Sequence, residues 1–162
     1  MKDTDDCEIS IKRILVPTDG SGQAFKALGR AIDLAKIFDA SLTLLMVADV
    51  EGSVSSFERV SLSGQEPAEL KIAAFQFLAE LMHVVPAKVA AHTRVEVGDP
   101  AETIVRVAEE EESDLIVIGS RGMSSVHTCF TGSVSKYVLK HAYYPVLVSK
   151  GVPDDWDEDM MG

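Results

Sequence analysis

A glycine-rich stretch between residues 119 and 133 holds the residues best suited to binding a phosphate group. Its glycines, at positions 119, 122 and 132, can adopt positive φ and let backbone N–H groups approach a ligand closely. The apolar run at residues 114–118 predicts a buried strand before this stretch, and residues 133–142 have helical spacing. Unpaired N–H groups at the start of a helix attract anions. The sequence therefore predicts a strand, a loop and a helix that cradle the phosphates of a nucleotide.

A second polar group follows the first predicted strand. The apolar run at residues 14–16 is typical of a central strand, and Pro17 ends its hydrogen bonding. Asp19 comes soon after, and its carboxylate could accept hydrogen bonds from ribose hydroxyls. In a parallel sheet, ligands bind outside the carboxyl ends of the strands, where the strand order changes direction. Asp19 and Gly119 would share one crevice if their strands were neighbours, which the residues alone leave open.

Alternating strand and helix patterns surround these groups. This alternation predicts an α/β fold in which helices cover both faces of a parallel sheet through right-handed crossovers. Asp99 is the predicted N-cap of the third helix, with Pro100 at its first position. The run of four glutamates at 109–112 is predicted to be a solvated face. We expect strands at residues 9–17, 41–48, 89–97, 114–118 and 144–149, and helices at 22–39, 67–85, 100–112 and 133–142.

The chain resembles the universal stress proteins in both regions. The spacing Gly119-x2-Gly122-x9-Gly132-Ser133 matches the nucleotide-binding signature of that family, and residues 14–21, Ile-Leu-Val-Pro-Thr-Asp-Gly-Ser, resemble its first strand and turn. The resemblance runs from about residue 11 to residue 150. It implies a doubly wound, five-stranded parallel sheet of order 3-2-1-4-5, Rossmann-like and similar to the adenine-nucleotide alpha-hydrolases. In that order the first and fourth strands are neighbours.

The resemblance also implies a ligand and its contacts. The expected ligand is ATP or another adenine nucleotide, alone or with Mg²⁺ or Mn²⁺. Family members often carry a basic residue in the spacer, which here holds His127 and Cys129. Backbone groups could still bind phosphate without it, since each hydrogen bond to a charged oxygen is worth roughly 1.5–3 kcal/mol. The implied contacts are adenine at the backbone of Val47, the nucleoside at Pro17, Thr18, Asp19, Ile118 and Gly119, and the phosphates at Arg121, Gly122, Gly132, Ser133 and Val134.

The sequence contains no convincing catalytic set. It lacks a Gly-x4-Gly-Lys-Ser/Thr loop, and no predicted strand ends in an acid clearly placed to hold magnesium and activate water. We therefore expect a nucleotide-dependent regulatory module of the stress response, with at most slow ATP hydrolysis. Two alternatives stay open. One is a stress protein that acts through dimerisation and partner binding without ATP, and the other is an adenylating or pyrophosphate-releasing enzyme.

The fifth predicted strand is the expected site of self-association. It would expose an apolar edge around Val146 and Val148, and soluble proteins usually cover such edges. The resemblance implies that two copies pair these edges in a two-fold homodimer. The identity of a protein client is left open.

Charge and composition exclude several other classes of partner. The net charge is −11, of which residues 1–8 carry −3 and residues 151–162 carry −5, so −3 remains for residues 9–150. That body has no basic stripe for nucleic acid, and no apolar run long enough for a membrane span. The first residues do not form a signal peptide, so we expect a cytoplasmic protein. We expect a flexible acidic terminus at 1–8, one domain at 9–150 and a disordered acidic tail at 151–162, in which Trp156 is a candidate docking residue.

Overall fold

A five-stranded parallel sheet forms the centre of the protein. The structure is a computed structural model that describes residues 9–49, 67–120 and 132–150. The spatial order β3-β2-β1-β4-β5 confirms the order that the resemblance implied. Ile14 of β1 lies between Leu42 of β2 and Leu115 of β4, so β1 is the central strand. The strands are β1 (Arg13–Pro17), β2 (Ser41–Ala48), β3 (Ala91–Val97), β4 (Leu115–Gly119) and β5 (Val146–Ser149).

Four helices cover the two faces of the sheet. They are α1 (Gly22–Phe38), α2 (Pro67–Met82), α3 (Pro100–Glu110) and α4 (Ser133–His141). Successive residues of a strand point to opposite faces, so the continuous apolar runs of β1, β2 and β4 supply two cores. Ile14 and Val16 pack in the core that contains α1 and α2, whereas Leu15 packs in the core that contains α3 and α4. The predicted doubly wound architecture is therefore confirmed.

The ends of two helices follow from local hydrogen bonding. The Ser21 hydroxyl accepts from the N–H of Ala24 and caps α1, at 3.1 Å. Asp99 caps α3 as predicted, because its carboxylate accepts from the N–H of Glu102 at 2.9 Å. Caps of this kind stabilise a helix by about 1 kcal/mol.

Several element bounds differ from the predictions. Helix α2 ends at Met82 rather than at residue 85. The N–H groups of His83, Val84 and Val85 instead bond to carbonyls three residues earlier, which is the tighter 3₁₀ pattern. Pro86 explains this ending, because a proline disfavours the α conformation of the residue before it. Strands β1 and β3 also begin later than predicted, at residues 13 and 91.

The glutamate run at 109–112 is only partly the solvated face that the sequence predicts. Arg94 of β3 bonds to the carboxylates of Glu110 and Glu111, and Arg106 joins Glu110 to Glu96. Glu111 is half-buried, with 19% of its side chain exposed. Spacing along α3 indicates the pair of Arg106 and Glu110, four residues apart, but Arg94 comes from a neighbouring strand, so that spacing could not reveal it.

Candidate functional site

The carboxyl ends of β1 and β4 lie side by side at the point where the strand order changes direction. From β1 the chain continues through α1 to β2 on one side, whereas β4 leads through α4 to β5 on the other. Loops leaving two such strands diverge and open a crevice between them, which is where open parallel sheets bind ligands. The predicted convergence of the regions around Asp19 and Gly119 therefore has its structural basis in this sheet order.

The turn after β1 is held in one conformation by its own hydrogen bonds. The N–H of Thr18 donates to the carbonyl of Leu45 at 2.8 Å, which fixes the start of the turn to β2. One oxygen of the Asp19 carboxylate accepts from the N–H of Ser21 at 2.9 Å. Gly20 between them has φ +80°, a conformation that favours glycine. These contacts orient the Asp19 carboxylate at the mouth of the crevice before any ligand arrives.

Gly119 has a packing role that sequence reasoning missed. A Cβ at this position would lie 3.0 Å from the carbonyl carbon of Gln23 and 3.1 Å from the nitrogen of Ala24. Both are backbone atoms of the first turn of α1, so they cannot move aside as a flexible side chain would. The close approach of α1 to the end of β4 therefore favours a glycine here, whether or not a ligand contacts it.

Helix α4 begins beside the end of β4, and its N-cap residue is a glycine. Gly132 has φ −61° and ψ 160°, and within the described residues the first turn has no side-chain cap. This φ is open to any residue, so the feature that matters is the missing side chain rather than the backbone freedom of glycine. The N–H groups of Ser133 and Val134 lie in this first turn, at the positive end of the helix dipole.

Ser120 fixes the start of α4 to the sheet. Its N–H donates to the carbonyl of Ser149 at 3.0 Å, and its carbonyl accepts from the N–H of Gly132. The buried hydroxyl of Ser135 adds bonds to the carbonyls of Gly132, at 2.9 Å, and Ser120, at 3.3 Å. Sequence reasoning did not find Ser120 or Ser135, because nothing in their spacing distinguishes them from other loop and helix serines.

A buried acceptor lies next to this region. The Oε1 atom of Gln23, in the first turn of α1, is buried, and no donor for it is found in the described part of the chain. A buried acceptor without a donor costs about 1–3 kcal/mol, so a ligand, or a residue outside the described ranges, that donates to it would recover that energy. Gln23 was also absent from the sequence predictions.

The described predicted residues all lie at the carboxyl end of the sheet. Residues 17–19 end β1 and begin its turn, Val47 is near the end of β2, Ile118 and Gly119 end β4, and residues 132–134 begin α4. Val47 and Val134 both pack against the core under α3 and α4. Arg121, Gly122, His127 and Cys129 lie outside the described residues. Within the described ranges, no cluster of three His, Cys, Asp or Glu side chains could hold a metal ion.

Comparison with known proteins gives the family. The family model described as the universal stress protein family matches residues 10–150. A universal stress protein of Methanocaldococcus jannaschii is 37% identical over 144 residues, which cover 86% of this chain and 82% of the relative. The chain belongs to the universal stress protein family. The family predicted from the glycine motif is thereby confirmed.

Solved structures of universal stress proteins share the fold. The universal stress protein UspA from Lactobacillus plantarum is 30% identical, with a TM-score of 0.72 over 86% of this chain and 97% of that structure. A universal stress protein solved in complex with cAMP is 26% identical, with a TM-score of 0.62 over 86% of this chain and 96% of that structure. In the described part of this universal stress protein, no helix is both long and apolar enough to cross a membrane.

Proposed function

We propose that this universal stress protein binds an adenine nucleotide, with ATP as the candidate ligand, at the carboxyl ends of β1 and β4. The observation that carries the proposal is the first turn of α4, which has no side-chain cap within the described residues and is fixed beside β4 through Ser120 and Gly132. The oriented carboxylate of Asp19 follows the neighbouring strand. The positive dipole end of α4 and the carboxylate of Asp19 lie at one crevice. They suit two parts of a nucleotide, its phosphates and its ribose hydroxyls.

The phosphates would bind to the start of α4. The N–H groups of Ser133 and Val134 and the hydroxyl of Ser133 are donors at the positive end of the dipole. Because the N-cap residue is Gly132, it has no side chain of its own to occupy the position where a phosphate oxygen would accept. Arg121 and Gly122 are proposed to complete this contact.

The nucleoside would bind across the ends of β1, β2 and β4. Asp19 would accept from the ribose hydroxyls, and the backbone at Val47 would face the base. Pro17, Thr18, Ile118 and Gly119 are proposed to contact the nucleoside as well. The buried Oε1 of Gln23 fits such a ligand, because an adenine amino group and ribose hydroxyls are both hydrogen-bond donors.

The relative solved with cAMP supports the class of ligand. The structural match covers 96% of that relative's chain, and cAMP contains an adenine nucleoside and a phosphate. The choice of ATP over other adenine nucleotides belongs to the proposal. So do Mg²⁺ or Mn²⁺ as companions of ATP, a cytoplasmic location and a regulatory role with at most slow hydrolysis.

Substitution of the N-cap residue tests the proposal directly. Asp is a good N-cap and suits the backbone of Gly132, so Gly132→Asp should preserve the fold and leave the free energy of unfolding unchanged or slightly higher. Its carboxylate would occupy the first-turn N–H groups and repel a phosphate. Gly132→Asn is the matched control, because it supplies a cap without the charge.

The measurements are mass spectrometry of ligand released from the purified protein and titration with ATP, with and without Mg²⁺. We expect an adenine nucleotide to be released, or ATP to raise the melting temperature of the wild type. Gly132→Asp should weaken ATP binding more than Gly132→Asn does. A protein that carries no nucleotide and shows no shift with ATP, ADP, AMP or cAMP would favour the alternative of dimerisation and partner binding alone.

A further inference from the structure

A cleft at the opposite end of the sheet has no role in the proposed nucleotide site. It lies where β1, β2 and β3 begin, is lined by Lys12, Ser41 and Ala90, and has a volume of about 540 Å³. Clefts of roughly 300–1,000 Å³ commonly hold small molecules. Strands of five to eight residues separate the two ends of the sheet by roughly 17–26 Å. The cleft is therefore distinct from the crevice at Asp19 and Gly132.

The rim of this cleft is cationic in an acidic protein. Three lysines line it, namely Lys12, Lys36 and Lys88, against one acid, Asp39. The cleft thus carries a net charge of +2, whereas residues 9–150 together carry −3. An anion is the ligand that this rim would attract.

The base of the cleft is packed against the core. Ala35, Ala40 and Val89 line it and are almost fully buried, at 2%, 6% and 7% exposed. All three belong to the core under α1 and α2, so the base is rigid packing rather than loose surface. The accessible lining is more polar than apolar, so a ligand would be held mainly through its anionic group.

The backbone that carries the lysines is fixed by hydrogen bonds. The N–H of Lys12 donates to the carboxylate of Asp114 at 2.8 Å, and its carbonyl accepts from the N–H of Ser41 at 2.8 Å. The carbonyl of Ala90 accepts from Leu42, which holds the segment that includes Lys88. The lysines therefore project from positions that need no rearrangement when a ligand binds.

The existing contacts of two lysines are weak. The ammonium of Lys36 lies 3.6 Å from Asp33 in an exposed pair, and that of Lys12 lies 3.5 Å from the carbonyl of Phe38 at the end of α1. Cations near a helix C-terminus stabilise its dipole, which accounts for these two lysines. It does not account for Lys88, which lies in the segment between α2 and β3.

We propose that this cleft binds a small organic anion, a carboxylate or phosphate, with Lys12, Lys36 and Lys88 around its charged group. The site is independent of the nucleotide site. Both could be occupied at once.

The test is an NMR titration of the ¹⁵N-labelled full chain with phenyl phosphate and with benzoate. We expect at least one of them to shift the amide resonances of residues 35–41 and 88–90, and the tighter of the two identifies the preferred head group. Benzyl alcohol, which lacks the charge, should bind more weakly. Gly132→Asp, which is proposed to block the nucleotide site, should leave these shifts unchanged, so failure here is distinguishable from failure of the nucleotide proposal.

Lysine variants connect the shifts to the cleft. Lys88→Gln and Lys36→Gln should each raise the Kd of the tighter probe by about fivefold, as expected for the loss of one charged contact. Lys71→Gln makes the same change on an exposed residue of α2 outside the cleft and should leave the Kd unchanged. Shifts that fall elsewhere in the wild type, or equal Kd values in all three variants, would overturn the proposal.

Discussion

Gly132 donates its backbone N–H to the carbonyl of Ser120, so two residues near the opposite ends of the glycine-rich stretch are bonded to each other. Ser120 is bonded in turn to Ser149 at the end of β5. The start of α4 is therefore positioned by the sheet. A phosphate site at this helix start would be preorganised in the same way.

Removal of the Ser135 hydroxyl should loosen this arrangement. This hydroxyl is buried and donates to the carbonyls of Ser120 and Gly132. We expect Ser135→Ala to lower the free energy of unfolding by about 1 kcal/mol and to speed hydrogen exchange of the Gly132 amide. Ser41→Ala is the control, since it removes a hydroxyl bond to Lys12 at the other end of the sheet. Equal exchange rates of the Gly132 amide in wild type and Ser135→Ala would contradict this account.

A methyl group at residue 119 should destabilise the fold even without ligand. The Cβ of Gly119→Ala would press on the backbone of Gln23 and Ala24, and we expect a loss of about 1–3 kcal/mol in urea unfolding. Gly29→Ala is the matched control, because nothing lies within 4 Å of its Cβ and alanine favours a helix by about 0.5–1 kcal/mol. If Gly119→Ala were as stable as the wild type, the packing role of Gly119 would be wrong.

The ion pairs between β3 and α3 should make stability depend on acid pH. Burial would raise the pKa of Glu96, but the hydrogen bonds from Arg94 and Arg106 together outweigh it and hold the pKa below the ordinary 4.5. A carboxyl group with a lowered folded-state pKa stabilises the fold above its unfolded pKa and loses that contribution as the pH falls through the folded value. The melting temperature of the wild type should therefore fall between about pH 5 and pH 3.

Arg94→Gln should remove much of this dependence. The variant should lose about 1 kcal/mol, or roughly 2–4 °C, at neutral pH and show a shallower fall in melting temperature toward pH 3. Arg13→Gln breaks an exposed pair with Glu112 and should change little. Parallel pH profiles for wild type and Arg94→Gln would show that the pairs contribute nothing to the acid response.

The proposed homodimer can be tested at β5, which lies at one edge of the sheet. The carbonyl of Pro145 accepts from the N–H of Ile116, and that of Ser149 accepts from the N–H of Ser120. The backbone groups of residues 145, 147 and 149 therefore face β4. The N–H groups of Val146 and Val148 therefore point away from β4, toward a partner copy. Val148→Pro should convert the dimer to a monomer in light scattering while the fold persists, since proline is tolerated where the N–H faces outward.

Leu147→Pro is the contrasting variant. It removes an inward N–H and should destabilise the fold itself. A monomeric wild type would contradict the expected homodimer, and a dimeric Val148→Pro would place the interface elsewhere.

The sequence by itself determined the elements and the chemistry available to them. Continuous apolar runs require strands buried on both faces, three- and four-residue spacing requires amphipathic helices, and Asp99 before Pro100 specifies a helix start. These signals are local in the chain, which is why they were readable. The motif from Gly119 to Ser133 also carried the family.

Only the tertiary structure decided what meets across the chain. The residues alone left open whether β1 and β4 are neighbours, and the family resemblance gave their pairing only as an expectation. The hydrogen-bonded register of the two strands decides it. The same holds for the contact of Gly119 with α1, the pairing of Glu110 and Glu111 with Arg94, and the gathering of three lysines at the amino end of the sheet. Each joins residues far apart in sequence, and such contacts form only when the packed cores bring distant segments together.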